Sequence, residues 1–350
     1  MDIVLSHTTA LEAYRTGAAT VPCHCALPDK APGTAELLAW RNGSEPGRAL
    51  TVPLALLVGK TNGRKETPVC RTRYSAPLPD GSLARLEDGV RIVSPELLLV
   101  QISRIATQVE LAMLVCELCG TYTISPEAPL GMIQRKRPLT SIARILAYME
   151  QLGAVPGVRS LRAAVALSFD GSGSPMESRL AARVSWPRSK GGYNVPIVSM
   201  NEGLEVARIS RNLRRARVRK PDLLFSLPQG ETPGICLDYH GDVHRNGTRP
   251  EQDAARMNEL LAFGLRPYTL WREQYRGTAY LDGLVDGVLR RDLGLPRPRA
   301  SKARAALELA RREALLAELD AADGVSWGTS DGGTEVLRAR ELVDEAKSRL

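Results

Sequence analysis

Two short apolar segments in the C-terminal half of the chain each carry an aspartate. Asp222 follows Pro221 and leads into Leu-Leu-Phe, whereas Asp238 ends an Ile-Cys-Leu segment and His240 comes two residues later. Because alternate strand residues share a face, Asp238 and His240 should point the same way. If the segments pair as a hairpin, Asp222 converges on that face. The spacing therefore predicts a small acidic site with an imidazole beside it.

A third acid lies upstream, where Ser174-Pro175 is typical of a helix start and places Glu177 in the first turn. Mg²⁺ (or Mn²⁺) prefers hard oxygen ligands and lowers the pKa of a bound water. We expect Asp222 and Asp238 to bind the ion, with Glu177 completing its outer shell or orienting a bound water. His240 would orient the nucleophile or stabilise developing charge. The predicted chemistry is phosphodiester hydrolysis.

A basic run without an acidic residue precedes the first aspartate. It comprises Arg208, Arg211, Arg214, Arg215, Arg217, Arg219 and Lys220. Such a run beside a metal site is typical of a surface that follows DNA phosphates. The alternative is an ordinary solvated helix face, which is the usual role of a charge run. Its position favours DNA as the partner.

Three residues downstream are candidate supporting groups. His244 would support the metal ligands from behind or shuttle a proton. The alternative is an ordinary histidine of a surface loop. Asp253 and Arg256 would form a structural ion pair that fixes a helix to the sheet. The alternative is that Arg256 faces the scissile phosphate.

The composition indicates a soluble, cytoplasmic protein. The chain has 350 residues, enough for two domains, and a net charge of +8, which favours a polyanionic partner. Six cysteines do not resemble a disulfide framework, and the first ten residues lack the pattern of a signal peptide. The most apolar stretch, 95–119, is interrupted by charged residues, so we expect no membrane partner.

Cysteine spacing offers a competing metal hypothesis. Cys23-His24-Cys25 and Cys116-x-x-Cys119 could together supply the four ligands of a zinc site. The first group is unusually tight, and the second lies in an apolar helical stretch where cysteine is usually just buried. We therefore favour a packing role for these cysteines over a zinc site.

Hydrophobic periodicity predicts an α/β protein with two domains and a tail. Residues 1–150 should form an α+β domain, and 160–298 a second domain of helices and strands that carries the acids. The latter is expected to contain a helix, two strands, a helix, a strand and a helix, at 176–185, 220–227, 234–239, 249–264, 266–271 and 280–293. Residues 299–350 should form a helical tail whose alternating charges suit solvent or a protein partner.

The acidic segments resemble a known nuclease signature. Pro221-Asp222 followed by Asp238-Tyr239-His240 is similar to the Pro-Asp…(Asp/Glu)-x-Lys pattern of the restriction-endonuclease-like superfamily, which often carries an upstream acid such as Glu177. The closer likeness is to the very-short-patch-repair-like endonuclease branch, through 238–244, the helix with Asp253-x-x-Arg256 and the turn after Gly264. The likeness covers about residues 174–295. It implies a restriction-endonuclease-like α/β/α fold and Mg²⁺-dependent DNA cleavage.

Two departures from this pattern leave an alternative open. His240 stands where the superfamily usually has lysine, or the branch an aspartate, and Asp238 is the shorter acid where glutamate is commoner. The departures imply either an altered metal geometry or a degenerate domain that binds DNA without cutting it.

The N-terminal half is similar to AbiEi-like abortive-infection antitoxin proteins. The likeness rests on the segment Ser6-His7-Thr8-Thr9-Ala10-Leu11, the strand at 50–58 and the segment Val93-Ser94-Pro95-Glu96-Leu97-Leu98. It implies a role in phage defence, as in toxin-antitoxin systems, or in DNA regulation. A protein partner would then bind the N-terminal domain or the helical tail.

Overall fold

A computed structural model describes residues 1–63, 65–206, 217–241, 250–329 and 332–350, with only the backbone described at 206, 217 and 250–253. Its strands are β1 Ile3–Leu5, β2 Val21–Cys23, β3 Leu54–Val58, β4 Cys70–Tyr74, β5 Leu83–Glu87, β6 Val90–Val93, β7 Tyr122–Ile124, β8 Met132–Gln134, β9 Leu204–Val206, β10 Arg217–Arg219, β11 Leu223–Ser226, β12 Gly234–His240 and β13 Leu265–Trp271.

The α-helices follow the same chain order. They are α1 His7–Arg15, α2 Thr34–Gly43, α3 Glu45–Arg48, α4 Pro95–Ile102, α5 Gln108–Cys119, α6 Ile142–Leu152, α7 Val158–Val165, α8 Pro175–Ser185, α9 Pro250–Ala262, α10 Arg272–Arg276, α11 Thr278–Leu281, α12 Arg290–Asp292, α13 Lys302–Ala321 and α14 Thr334–Ser348. A π-helical stretch spans Asp282–Leu289. No helix within these described ranges is long and apolar enough to cross a membrane.

The N-terminal part is built on a mixed six-stranded sheet in the order β2-β5-β6-β1-β3-β4. Its central strand β1 is fully buried, pairing in parallel with β6 and antiparallel with β3. Ser94 caps α4 by accepting a hydrogen bond from the Leu97 amide, and Pro95 occupies the first turn. α5 is almost entirely buried and begins with a capping box between Thr107 and Glu110. This arrangement confirms the expected mixed α/β character.

The second sheet is small and carries the predicted acids. β12 pairs antiparallel with β11 and in parallel with β13. On one face, Leu223 and Leu237 pack with Leu180 of α8. On the other face, Cys236 packs with Leu260 of α9. A three-stranded sheet therefore lies between two helices, each of which buries an apolar stripe against it.

Helix α8 and the tail connect the two parts of the protein. In α8, Ala182 belongs to the core of the N-terminal part, whereas Ala181 and Val184 belong to the core of the second sheet. From the tail helix α13, Leu315 and Leu319 are buried in the N-terminal core. The helical tail predicted for 299–350 is present, and α13 packs into the body of the protein. The helix expected at 280–293 is present as an unbroken helical run of α11, the π-helical stretch and α12.

Candidate functional site

The hairpin of β11 and β12 places the two predicted aspartates side by side. Leu223 is the register partner of Leu237, so Asp222 and Asp238 are the next facing positions. The Asp222 amide donates to Oδ1 of Asp238 at 3.0 Å, and the Tyr239 amide donates to Oδ2 of Asp222 at 2.6 Å. Each carboxylate thus accepts a backbone hydrogen bond from the opposite strand. These reciprocal bonds fix both side chains at the end of the sheet.

Glu177 is positioned by the start of α8. The Ser174 side chain accepts from the Glu177 amide at 3.2 Å, as expected of a helix N-cap. Oε2 of Glu177 accepts from the Gly173 amide at 2.7 Å and from Nδ2 of Asn201 at 2.5 Å. The carboxylate is therefore anchored at the loop that precedes α8.

Asn201 is a site residue that the sequence reasoning missed. Its Nδ2 contacts both the Glu177 carboxylate and the Gly171 carbonyl, the latter at 3.1 Å. Its backbone has a φ of +52°, a conformation that asparagine tolerates better than most residues. An asparagine followed two residues later by a glycine, in a short polar stretch, is typical of such a turn. This pattern does not show that the asparagine side chain binds Glu177.

The three carboxylates influence one another electrostatically. Burial raises the pKa of Asp222 well above its ordinary value, and the negative charges of Glu177 and Asp238 raise it further. Burial also raises the pKa of Glu177, although the hydrogen bonds from Asn201 and Gly173 oppose that shift. Carboxylates repel one another in this way only when they are near neighbours in a poorly solvated place. The structure therefore brings the three predicted acids into one electrostatic cluster.

Arg256 of α9 is the cation of this cluster. Its guanidinium lies 3.0 Å from Oδ2 of Asp238 and donates to the Lys220 carbonyl at 3.2 Å. Among the described residues its Nε is buried and has no hydrogen-bond partner. The helix thus presents Arg256 to the sheet, where it pairs with Asp238. The side chain of Asp253 lies outside the described residues, so the ion pair expected between Asp253 and Arg256 stays a prediction.

His240 and Trp271 form the open side of the site. They are register partners on β12 and β13, and their rings meet edge to face with centroids 5.0 Å apart. Together with Asp238, Arg256 and Thr269 they line a cavity of about 330 Å³. Asp238 and His240 therefore reach the same face of the strand, next to α9. His244 lies outside the described residues.

The predicted DNA-binding run divides into three groups. Arg208, Arg211, Arg214 and Arg215 lie outside the described residues, and only the backbone of Arg217 is described. Arg219 forms an ion pair with Glu259 at 2.6 Å, in which both side chains are largely buried. Arg219 therefore pairs with an acid of the protein itself and not with DNA, which the sequence did not indicate. Lys220 has an exposed side chain.

The donor chemistry at the hairpin suits a hard divalent ion. Within the described ranges, no three or more His, Cys, Asp and Glu side chains are grouped so as to hold a metal ion. Mg²⁺, however, is usually bound by only one or two carboxylates together with waters and substrate phosphate. Asp222 and Asp238 supply such a pair, and the repulsion that raises the pKa of Asp222 is what a cation would relieve. The carboxylate oxygens that Asp222 and Asp238 supply are therefore the kind of ligand that Mg²⁺ or Mn²⁺ prefers.

The competing zinc hypothesis is not supported by the described residues. Cys116 and Cys119 are buried in α5, and burial raises the pKa of Cys116 to about 11. Cys23 and Cys25 lie at the edge strand β2 and the loop after it, and the two pairs form no common metal-ligating group. The packing role expected for Cys116 and Cys119 agrees with their burial.

Comparisons with known proteins return no relative. No protein-family model, no curated protein and no solved structure matches this chain.

Proposed function

We propose that this protein is a Mg²⁺- or Mn²⁺-dependent endonuclease that hydrolyses DNA phosphodiester bonds at the end of the β11–β12 hairpin. The observation that carries the proposal is the cluster of Asp222, Asp238 and Glu177. The two aspartates are held side by side by backbone hydrogen bonds across the hairpin, and burial, then the charges of Glu177 and Asp238, raise the pKa of Asp222. Such a cluster costs folding free energy unless a cation neutralises part of its charge. Acid clusters of this kind are typical of functional sites.

Each residue has a distinct role in this proposal. Asp222 and Asp238 would hold the ion, which supplies charge neutralisation and a more acidic bound water when present. Glu177, held by Asn201 and Gly173, would orient the attacking water and accept its proton at a carboxylate oxygen. The raised pKa of Glu177 suits this role because a general base works best when its pKa is closer to the pH of the reaction.

The cation beside the acids extends the proposal to substrate binding. The Arg256 side chain is 30% exposed and lines the cavity next to Asp238. A guanidinium in that place can contact a phosphate oxygen as well as the carboxylate. His240, in the same cavity, would orient the nucleophile or the phosphate. Lys220 would contact a neighbouring phosphate from the exposed strand end.

The layered arrangement of α8, the small sheet and α9 supports a restriction-endonuclease-like identity for this part. Two acids on neighbouring strands and a third at the start of a packed helix are the arrangement that the very-short-patch-repair-like resemblance implies. For the N-terminal part we propose an AbiEi-like role, in which the whole chain acts in phage defence or DNA repair.

One observation favours a second candidate, a regulator that binds DNA without cleaving it. Arg256 already neutralises Asp238 at 3.0 Å, so the site can balance part of its charge without a metal ion. A domain that lost catalysis could keep this ion pair for stability. This alternative shares the fold and the DNA partner and differs only in chemistry.

Plasmid cleavage separates the two candidates. Supercoiled DNA is incubated with the full chain and Mg²⁺ or Mn²⁺, alongside Asp222→Asn and Asp238→Asn. A matched control is Glu231→Gln, an exposed acid in the turn that joins the same two strands. Cleavage by wild type and control, but by neither aspartate variant, supports the endonuclease. Equal DNA retention by all four proteins without any cleavage would support the regulator and overturn the endonuclease proposal.

A further inference from the structure

Two of the six cysteines are not fully buried. All six are free thiols, and four of them are buried: Cys70, Cys116, Cys119 and Cys236. Cys23 ends the edge strand β2, opposite Leu83 of β5, and Cys25 lies exposed two residues further on. A buried cysteine is explained by packing, but a pair at a sheet edge is not.

The two thiols form a common feature at the surface. Both line a cavity of about 460 Å³ on one side and a cavity of about 700 Å³ on the other. Burial and the neighbouring Cys25 thiol raise the pKa of Cys23, whereas the positive charges of Arg91 and Arg85 lower it. Cys23 and Cys25 thus line the same two openings, and the guanidinium-bearing residues Arg85 and Arg91 line the second of them.

We propose that Cys23 and Cys25 form a dithiolate site for a soft, thiophilic metal ion of low coordination number, such as univalent copper. Thiolates select soft ions over the hard ions that suit the acidic hairpin. On binding, each thiol releases its proton to solvent and its sulfur forms one bond to the ion. The oxidation states of metal and sulfur do not change, so the step needs no oxidant or reductant.

The side chains around the pair favour two sulfur ligands over a four-ligand zinc site. His24 also lines the 460 Å³ cavity, but its Nδ1 faces Oδ1 of Asp80 at 3.3 Å. Structural zinc is normally closed by four ligands, whereas univalent copper accepts two. The site belongs to the six-stranded sheet and is independent of the nuclease proposal.

The test uses univalent copper under anaerobic, reducing conditions, in competition with a chromophoric copper chelator. We expect the full chain to withdraw one ion per molecule. Cys23→Ser and Cys25→Ser should each weaken binding by more than the roughly 10–100-fold that follows loss of an outer-shell partner. His24→Ala is the matched control and should keep the affinity. X-ray absorption of the bound ion should show sulfur neighbours alone.

Two results would overturn the proposal. The first is equal copper withdrawal by wild type and a Cys23→Ser/Cys25→Ser double variant, with both proteins shown to be folded by circular dichroism. The second is loss of binding in His24→Ala together with nitrogen in the absorption spectrum, which would establish a different ligand set. Because Cys25 is exposed and Cys23, which packs against the N-terminal core, is only partly buried, serine at these positions should leave the fold intact.

Discussion

The ion pair between Arg256 and Asp238 offers a direct test of whether the acid cluster accepts a divalent ion. At 3.0 Å and an effective dielectric constant near 20, the attraction is about 5 kcal/mol. The Arg256 side chain is 30% exposed, whereas that of Asp238 is only 7% exposed, so water screens the pair in part. We expect Arg256→Met to destabilise the protein by about 2–3 kcal/mol, because it leaves a buried carboxylate beside two other acids.

Magnesium should reverse much of this loss if Asp222 and Asp238 hold it. A ligand present at 100 times its dissociation constant adds about 2.7 kcal/mol to the free energy of unfolding. Arg256→Met should therefore gain more thermal stability from Mg²⁺ than wild type does, since the methionine no longer competes for Asp238. The measurement is the unfolding midpoint with MgCl₂ and with NaCl of matched ionic strength.

The control for this experiment adds Asp222→Asn and Asp238→Asn to the Arg256→Met background. The triple variant should show no specific response to Mg²⁺, because both proposed ligands have lost their charge. If Mg²⁺ stabilises Arg256→Met no more than matched NaCl does, the reasoning that places a divalent ion at this hairpin is refuted. An equal response in the triple variant would refute it as well.

Three further predictions follow from the same cluster. The pKa of Asp222 is raised in the folded state, so its contribution to the free energy of unfolding falls as pH rises above about 4. Asp222→Asn should remove that fall. The measurement is urea unfolding from pH 4 to 8 without divalent ions. Asn201→Ala should lower the free energy of unfolding by about 1–2 kcal/mol more than Asn194→Ala does. Asn194 is the matched control because it has the same positive φ but an exposed side chain. Equal losses would exclude the anchoring role proposed for Asn201. Lys220→Ala should leave thermal stability unchanged and reduce the salt dependence of DNA binding by about one phosphate contact. Arg219→Ala should instead destabilise the fold, because it breaks the ion pair with Glu259. The reverse pattern would contradict both assignments.

Local sequence signals were sufficient for the elements that carry the acids. Ser174-Pro175 specifies a helix start through the N-cap and the fixed φ of proline, and α8 begins there. The apolar segments around Asp222 and Asp238 have strand length, and a short turn-rich connection favours their pairing. The hairpin and its facing aspartates were therefore predictable, since they depend on neighbours that are close in sequence.

The partners of these residues could not be predicted, because they come from distant segments. Asp253, three residues from Arg256, was the obvious local partner, and nothing in the sequence indicated that α9 brings Arg256 to Asp238 on another element. Arg219 was assigned to DNA because nothing in the sequence shows that Glu259 faces it. Packing of helices against sheets decides such pairings, and periodicity alone does not contain that information.

The same limit applies to the tail. Its composition predicted helices, and α13 and α14 are present. Composition did not indicate that Leu315 and Leu319 of α13 are buried in the N-terminal core, far back along the chain. An amphipathic helix shows which of its faces is apolar but not which surface covers it.

Helix α8 makes the two parts of the chain mechanically dependent on each other. It presents Ala182 to one core and Val184 to the other, and it carries Glu177 on its first turn. A chain cut before this helix would leave Ala182 without its cover, and a chain cut after it would remove the glutamate from the aspartates. The packing of both cores and the placement of Glu177 therefore depend on the same eleven-residue helix.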